Sequence, residues 1–278
     1  MKNEEGYLNL IKDIFENGVD CVDRTGIGTT SVFGKSISFD LTDNKLPMLT
    51  SKKLFARGVI EELLFFIRGD TNSKLLEEKN VNIWKGNTSR AFLDSKNLKD
   101  YPEGEMGPMY GYQWRNFNGV DQLQNCLNLI KNDPNSRRIM VTAYNPSVSD
   151  KCVLDPCHLF FQFYVKNGEL SCQWYQRSVD VGLGLPFNIL SYAILTHLMA
   201  KASGLKAKEL IFVGGDTHIY LNHKDALKQQ LQRSIYAMPT LEIKKSISSI
   251  EDMESLEFSD FEILNYQSHP TIKMDMAV

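Results

Sequence analysis

The sequence has no excess of positive charge: 31 lysines and arginines stand against 34 aspartates and glutamates, a net charge of −3 at neutral pH. That removes a global electrostatic case for nucleic acid or a membrane surface, and neither is expected as a partner. Cysteine is sparse and odd in number, with Cys21, Cys126, Cys152, Cys157 and Cys172 scattered and no pair at CxxC spacing. Reduced thiols in the cytoplasm are expected, and zinc is not. The five histidines show no HExxH-type spacing, so no metal is expected. The opening MKNEEGYLNL lacks the apolar core of a signal peptide. The longest apolar stretch, Ile189 to Ala200, is broken by Ser191, Thr196 and His197 and is too short to span a bilayer. Linkers, repeats and low-complexity tracts are missing too, which predicts one domain over residues 1–278.

What is present is an ordinary globular balance, 42% hydrophobic and 23% charged. Tyr7, Leu8, Leu10, Ile11, Ile14 and Phe15 recur at helical spacing and predict a helix near 4–16, ending before Asn17-Gly18. Further helices are expected at about 57–68, 120–132 and 222–232, and the apolar segment from Ile189 to Met199 reads as a long, buried central helix. Strand candidates are SVFGKSISF, RRIMVTAY, HLFFQFYV, ELSCQWYQRS and ELIFVGG. Strands and helices without strict βαβ alternation indicate an α+β fold.

Asn167-Gly168 lies between two of these strands and is a strong hairpin signal. With those two residues as the turn, Lys166 faces Glu169, Cys157 faces Ser178, and Arg177 is diagonal to the cysteine; a bulge would shift this register. A guanidinium near Cys157 favours the nucleophilic thiolate, against the plain alternative of a small buried hydrophobe. Glu62 has Gly58, Val59, Phe65 and Phe66 as its helical neighbours, so its carboxyl falls on an apolar face and its pKa should rise toward neutrality. Glu61 has Arg57 and Arg68 within helical reach and reads as a solvated or paired acid. Arg24 in a glycine-containing loop, the Arg137-Arg138 pair, and Arg177 with Ser178 occupy loop or strand-end positions that suit a phosphate; each alone also suits a surface ion pair. His218 and Tyr220 share a face of an extended segment, and Asn188 opens the central helix, where an N-cap is the plain alternative.

Assembled in order, DRTG at 23–26, EELL at 61–64, GPMYG at 107–111, DPNSRRI at 133–139, PCH at 156–158, YQRSVD at 175–180, GLPFNI at 184–189, GGDTHIYLNH at 214–223 and the closing MAV resemble the thymidylate synthase family. SRAFLD and TIKMDMAV look closest to its eukaryotic form. The resemblance implies a mixed sheet packed on helices and a sheet-mediated homodimer. It implies that Cys157 adds to C6 of the uracil ring of dUMP, so that C5 attacks the methylene group of 5,10-methylenetetrahydrofolate; loss of tetrahydrofolate and hydride transfer then give dTMP and dihydrofolate. By the same resemblance Arg24, Arg177 and Ser178 hold the phosphate, with Arg137 and Arg138 reaching across from the second subunit. Asn188 would read the uracil edge, and His218 with Tyr220 the deoxyribose hydroxyl. Glu62, with Tyr110 and His158, would manage protons, and Arg177, Asp180 and Asn188 count among the catalytic groups as well. Ile83, Trp84, Asp180, Leu183, Gly184 and Phe187 would line the folate side, closed over by Ala277 and Val278.

Two stretches depart from the family pattern. Lys85 follows Ile83-Trp84 where an acid is usual, and RSIYAMP at 233–239 replaces the common REPRP. Competing readings are a nucleotide hydroxymethylase of the same fold, a Cys-His hydrolase and a non-catalytic nucleotide-binding protein. The second requires His158 to deprotonate Cys157, yet adjacent strand residues point to opposite faces.

Overall fold

The computed structural model describes residues 2–22 and 26–276. Its helices are α1 (Asn3–Asn17), α2 (Ala56–Arg68), α3 (Lys74–Glu77), α4 (Arg90–Ser95), α5 (Gly111–Arg115), α6 (Gln122–Asn132), α7 (Gly184–Ala202), α8 (Lys224–Leu231) and α9 (Ile250–Glu254). The strands are β1 (Val19–Cys21), β2 (Thr29–Asp40), β3 (Met140–Thr142), β4 (His158–Lys166), β5 (Glu169–Asp180), β6 (Lys206–Tyr220), β7 (Thr240–Ile243) and β8 (Phe261–Leu264). The first six form one sheet in the order β1-β2-β6-β5-β4-β3, in which β5 and β6 run parallel and the other neighbours antiparallel. This is the mixed α+β architecture expected from the sequence.

Only one face of the sheet is covered. Phe163, Cys172 and Leu210 form one rung of buried side chains across β4, β5 and β6, and Phe161, Trp174 and Phe212 form the next. Helix α7 packs on β5 and β6, and α2 packs outside it. Because α7 has neighbours on both sides it is apolar all round, with Ile194, Leu195, Leu198 and Met199 fully buried. Each such side chain contributes about 1.5–3 kcal/mol on burial. The opposite face of the sheet leaves Phe33 and Tyr164 exposed at 79% and 63%.

Several boundaries differ from the sequence expectations, each for a local reason. Helix α6 starts at Gln122 because the Asp121 side chain accepts from Gln124 N–H, leaving Val120 outside and exposed. The strand expected at 137–144 shortens to β3, and a 3-10 turn at 221–223 precedes α8. Helix α7 begins at Gly184, five residues before the apolar run, so Asn188 lies inside the helix and is no N-cap. Glu61 is buried and pairs with Lys79 at 2.6 Å, because Arg68 donates instead to the carbonyls of Glu254 and Leu256. RSIYAMP packs on the chain before α2, with Arg233 donating to Ser51 O at 2.8 Å and Tyr236 N–H to Thr50 Oγ1 at 2.9 Å.

The hairpin forms as expected, with Asn167 and Gly168 at φ of 52° and 76° and Lys166 opposite Glu169. The register holds to Phe160–Tyr175, then slips by one residue at a bulge between His158 and Phe160. Beyond it Arg177 N–H donates to Cys157 O at 2.9 Å. Cys157 therefore faces Arg177, not Ser178.

Candidate active site

The bulge decides which side chains share a face. His158 pairs with Gln176, which is 2% exposed on the core side, while Cys157 and Arg177 lie one step further along the pair of strands. Cys157 is half-buried, and its N–H donates to the Tyr110 hydroxyl at 2.9 Å. Arg177 lies along the approach to the cysteine: Nε donates to Pro156 O at 2.9 Å and Nη2 to Asp155 O at 2.8 Å. Its guanidinium thus holds the loop that delivers the thiol while its outer side stays in solvent.

Tyr110 joins these groups to the helical layer. Its ring stacks on Phe66 of α2 at 5.1 Å and on His158 at 4.3 Å. The residue has φ 42° and ψ −107°, a conformation that L-residues rarely adopt. It is held there because Gly111 meets α2 backbone to backbone; a Cβ on Gly111 would lie 2.3 Å from Phe66 O. Burial raises the Tyr110 hydroxyl well above its usual pKa, reinforced by Cys157 and Glu62 and opposed by Arg177. Cys157, Glu62, Arg177 and Tyr110 therefore share one electrostatic neighbourhood.

Glu62 sits one turn before Phe66 on α2, almost fully buried, and accepts from Trp84 Nε1 at 2.7 Å. Desolvation pushes its carboxyl up to about 7, against the lowering effect of the indole. His158 is driven the other way: burial pulls it down to about 3, and its Nδ1 lies 2.9 Å from the Tyr192 hydroxyl. A neutral, engaged imidazole is a poor base for a thiol, which weakens the hydrolase reading on grounds independent of strand geometry.

A second group lies along β5. Asn188 Nδ2 donates to Gln176 Oε1 at 3.0 Å, Trp174 Nε1 donates to the same oxygen at 3.4 Å, and Gln176 Nε2 donates to Ser178 O at 3.0 Å. An indole only donates and a carbonyl only accepts, so the orientation of both amides is determined. Asn188 keeps its Oδ1 and one N–H for a ligand edge bearing a donor beside an acceptor. Further along, Asp180 pairs with His218 across β5 and β6, and the His218 ring lies 5.3 Å from Tyr220. The Asp180 carboxylate accepts from the N–H groups of Gly182, Leu183 and Gly184 at the start of α7. Ile83, Trp84 and Phe187 are partly buried against the core.

Two other expected residues are not brought to this group among the described residues. Arg137 and Arg138 lie exposed in the turn before β3, in no ion pair among the described residues. Arg24, Ala277 and Val278 fall outside the described residues, and Lys85 is exposed. Among the described residues no three of His, Cys, Asp and Glu gather as metal ligands, and no helix is long and apolar enough to cross a membrane. Two residues at the site escaped the sequence reading. Gln176 carried a signal, since the two-residue period of β5 puts it on the core side with Cys172 and Trp174. Lys52 carried none: its ammonium is buried, donates to Gly182 O at 2.5 Å, and is pulled down to about 8 by burial against the attraction of Asp180.

A family model described as thymidylate synthase matches residues 5–278. The chain belongs to the thymidylate synthase family. It is 50% identical over 290 residues to the bifunctional dihydrofolate reductase-thymidylate synthase of Leishmania major, covering 99% of this chain and 55% of that protein. It is 48% identical over 288 residues to the bifunctional protein of Zea mays, covering 54% of it. With thymidylate synthase 1/2 of Encephalitozoon cuniculi it shares 47% identity over 287 residues, 99% of this chain and 97% of that one. The chain thus spans about half the length of the bifunctional relatives.

The buried acid makes a prediction about stability. The Glu62 carboxyl has its pKa raised from 4.5 to about 7 on folding. A raised acid stabilises the fold below its unfolded pKa and loses that contribution as pH climbs through the folded one, about 3 kcal/mol over this window. Glu62→Gln, which stays neutral, should melt level with wild type near pH 4 and roughly 5–10 °C higher near pH 8. Equal melting at both pH values would show that the carboxyl is solvated.

Proposed function

We propose that the chain catalyses the reductive methylation of dUMP to dTMP, as one catalytic domain over residues 1–278 acting in a homodimer. 5,10-Methylenetetrahydrofolate supplies both the one-carbon unit and the hydride and leaves as dihydrofolate. The observation that carries this reading is the meeting of Cys157, Arg177, Tyr110 and a near-neutral Glu62 at one end of β4 and β5.

The thiolate of Cys157 adds to C6 of the uracil ring, and the Arg177 guanidinium beside it favours the ionised sulfur while its solvent side takes the phosphate with Ser178 and Arg24. Glu62, poised near neutrality, exchanges a proton with the base through water, with the Tyr110 hydroxyl and the neutral His158 ring as hydrogen-bonding groups. Asn188, held by Gln176, reads the uracil edge; His218 and Tyr220 take the sugar. Asp180, Leu183, Gly184, Phe187, Ile83 and Trp84 form the folate side, completed by Ala277 and Val278. The uncovered sheet face, with Phe33 and Tyr164 exposed, supports a dimer through the sheet in which Arg137 and Arg138 enter the partner's phosphate site. The cysteine usage supports a cytoplasmic location.

Incubation with dUMP and 5,10-methylenetetrahydrofolate should raise the absorbance as dihydrofolate forms; release of tetrahydrofolate instead would favour the hydroxymethylase reading. Cys157→Ser should lower turnover by about 10³-fold or more while dUMP binding persists, measured by calorimetry. Turnover near wild type would remove Cys157 from the chemistry. Mixing inactive Arg138→Ala and Cys157→Ser protomers should restore part of the activity, since some sites then carry both native groups. No recovery once mixed dimers are shown would sink the shared site. Gln176→Met should reduce the preference for dUMP over dCMP by about tenfold or more, because Asn188 loses the partner that sets its amide. An unchanged ratio of kcat/KM values would place base selection elsewhere.

A further inference from the structure

His223 is completely buried, and the chemistry above does not use it. It ends the 3-10 turn that follows β6, and its two ring nitrogens face different parts of the chain. Nε2 lies 2.7 Å from the carbonyl oxygen of Asp275. A carbonyl only accepts, so Nε2 carries a proton. In the neutral ring Nδ1 is then a bare acceptor, with no hydrogen-bond partner among the described residues and with Asp180 Oδ1 at 3.8 Å.

The same ring rests on Gly182. A Cβ at that position would stand 2.7 Å from His223 Nδ1 and 3.1 Å from the Met274 sulfur. Gly182 has no positive φ, so here the missing side chain makes room and does not relieve the backbone. From the core side the turn is held by Tyr7, whose hydroxyl donates to Val181 O at 2.9 Å, and by Lys52, which donates to Gly182 O at 2.5 Å. From the outer side it meets His223 and Met274. Residues 266–276 form no helix or strand, so individual contacts such as the Asp275–His223 bond set their course.

We propose that His223 is a positioning residue that clamps the C-terminal segment onto the Asp180 turn, with tail and carboxylate competing for one imidazole proton. With the tail seated, the proton sits on Nε2, and the Asp180 carboxylate keeps only its backbone donors and remains open to a ligand. With the tail away, the proton moves to Nδ1 and bonds Asp180 instead. One tautomer shift therefore ties the tail's position to the carboxylate assigned to the folate side. The kinetic consequence rests on the proposed folate-dependent reaction; the clamp does not.

The clamp is tested without any turnover by labelling the histidine ring nitrogens with 15N. Wild type should show His223 protonated on Nε2, and a chain ending at Met274 should show it on Nδ1. The same tautomer in both would overturn the proposal. His223→Phe keeps the ring but loses the donor, so carboxypeptidase should release C-terminal residues roughly tenfold faster, about one hydrogen bond's worth. KM for 5,10-methylenetetrahydrofolate should rise by a similar factor while dUMP affinity holds, and His223→Gln, which retains an N–H donor, should recover part of both effects. A folded phenylalanine variant with unchanged digestion and KM would overturn the clamp. If that variant fails to fold, Gly182→Ala pushes the ring and Met274 from beneath and should give the same two effects; their absence there is equally fatal. Should wild type lack folate-dependent turnover, the functional reading falls, and tautomer and digestion still decide the clamp.

Discussion

A single backbone hydrogen bond, from Arg177 N–H to Cys157 C=O, orders the rest of the site. It exists because a bulge shifts the β4–β5 pairing by one residue, and a one-residue slip in a sheet exchanges which side chains stand together. Without the slip Cys157 would face Ser178, and Gln176 would lose His158 as its neighbour on the core side. With it, Cys157 and Arg177 stand opposite each other at the solvent end of the strands. The polar amide and the imidazole go inward, where α7 meets them through Asn188 and Tyr192. The bulge thus separates a charged, accessible half of the site from a buried half.

The buried half explains the division of labour among titratable groups. Desolvation disfavours whichever form is charged, so the same burial lifts Glu62 to about 7 and drops His158 to about 3. An acid is brought to a pKa useful near neutrality, and a base is taken away from it. In the proposed reaction proton exchange therefore falls to the carboxyl, and the imidazole is left to pack on Tyr110 and hydrogen-bond to Tyr192. Holding the tyrosine between them demands a strained backbone, which the Gly111 contact with α2 maintains. Because Glu62 and Phe66 lie one turn apart on that helix, the contact that strains Tyr110 also sets its distance from the acid.

How much of this the sequence carried depends on the range of the interaction concerned. Helices α1 and α2 follow their own 3.6-residue patterns, and the hairpin at Asn167-Gly168 needs only two residues willing to take positive φ. Glu62 was visible because its apolar neighbours lie three and four residues away on the same helix. The bulge was not, since no residue between His158 and Phe160 marks it; it is settled by how two strands fit the surrounding chain. Lys52 and its bond to Gly182 join positions far apart in sequence, and nothing local to Ser51-Lys52-Lys53 foretells burial. Glu61 is paired, as one of the two expected outcomes had it, but its cation, Lys79, comes from beyond the helix while the helical arginine has other acceptors.

Asn188, proposed to read the base, shows what long-range order adds to a single residue. Taken alone, Asn188 can turn its amide over at little cost and would accept either of two opposite ligand edges. In the fold it cannot do so freely, because Gln176 Oε1 faces it and that oxygen is itself held by the Trp174 indole. A flipped Asn188 would set two carbonyl oxygens against each other in a buried site, where unmatched polar groups are costly. The preference therefore originates at two groups with only one possible sense, an indole N–H and a backbone carbonyl, and passes through two amides to the ligand. On the proposed reading, selectivity belongs to the buried face of β5 as much as to Asn188 itself.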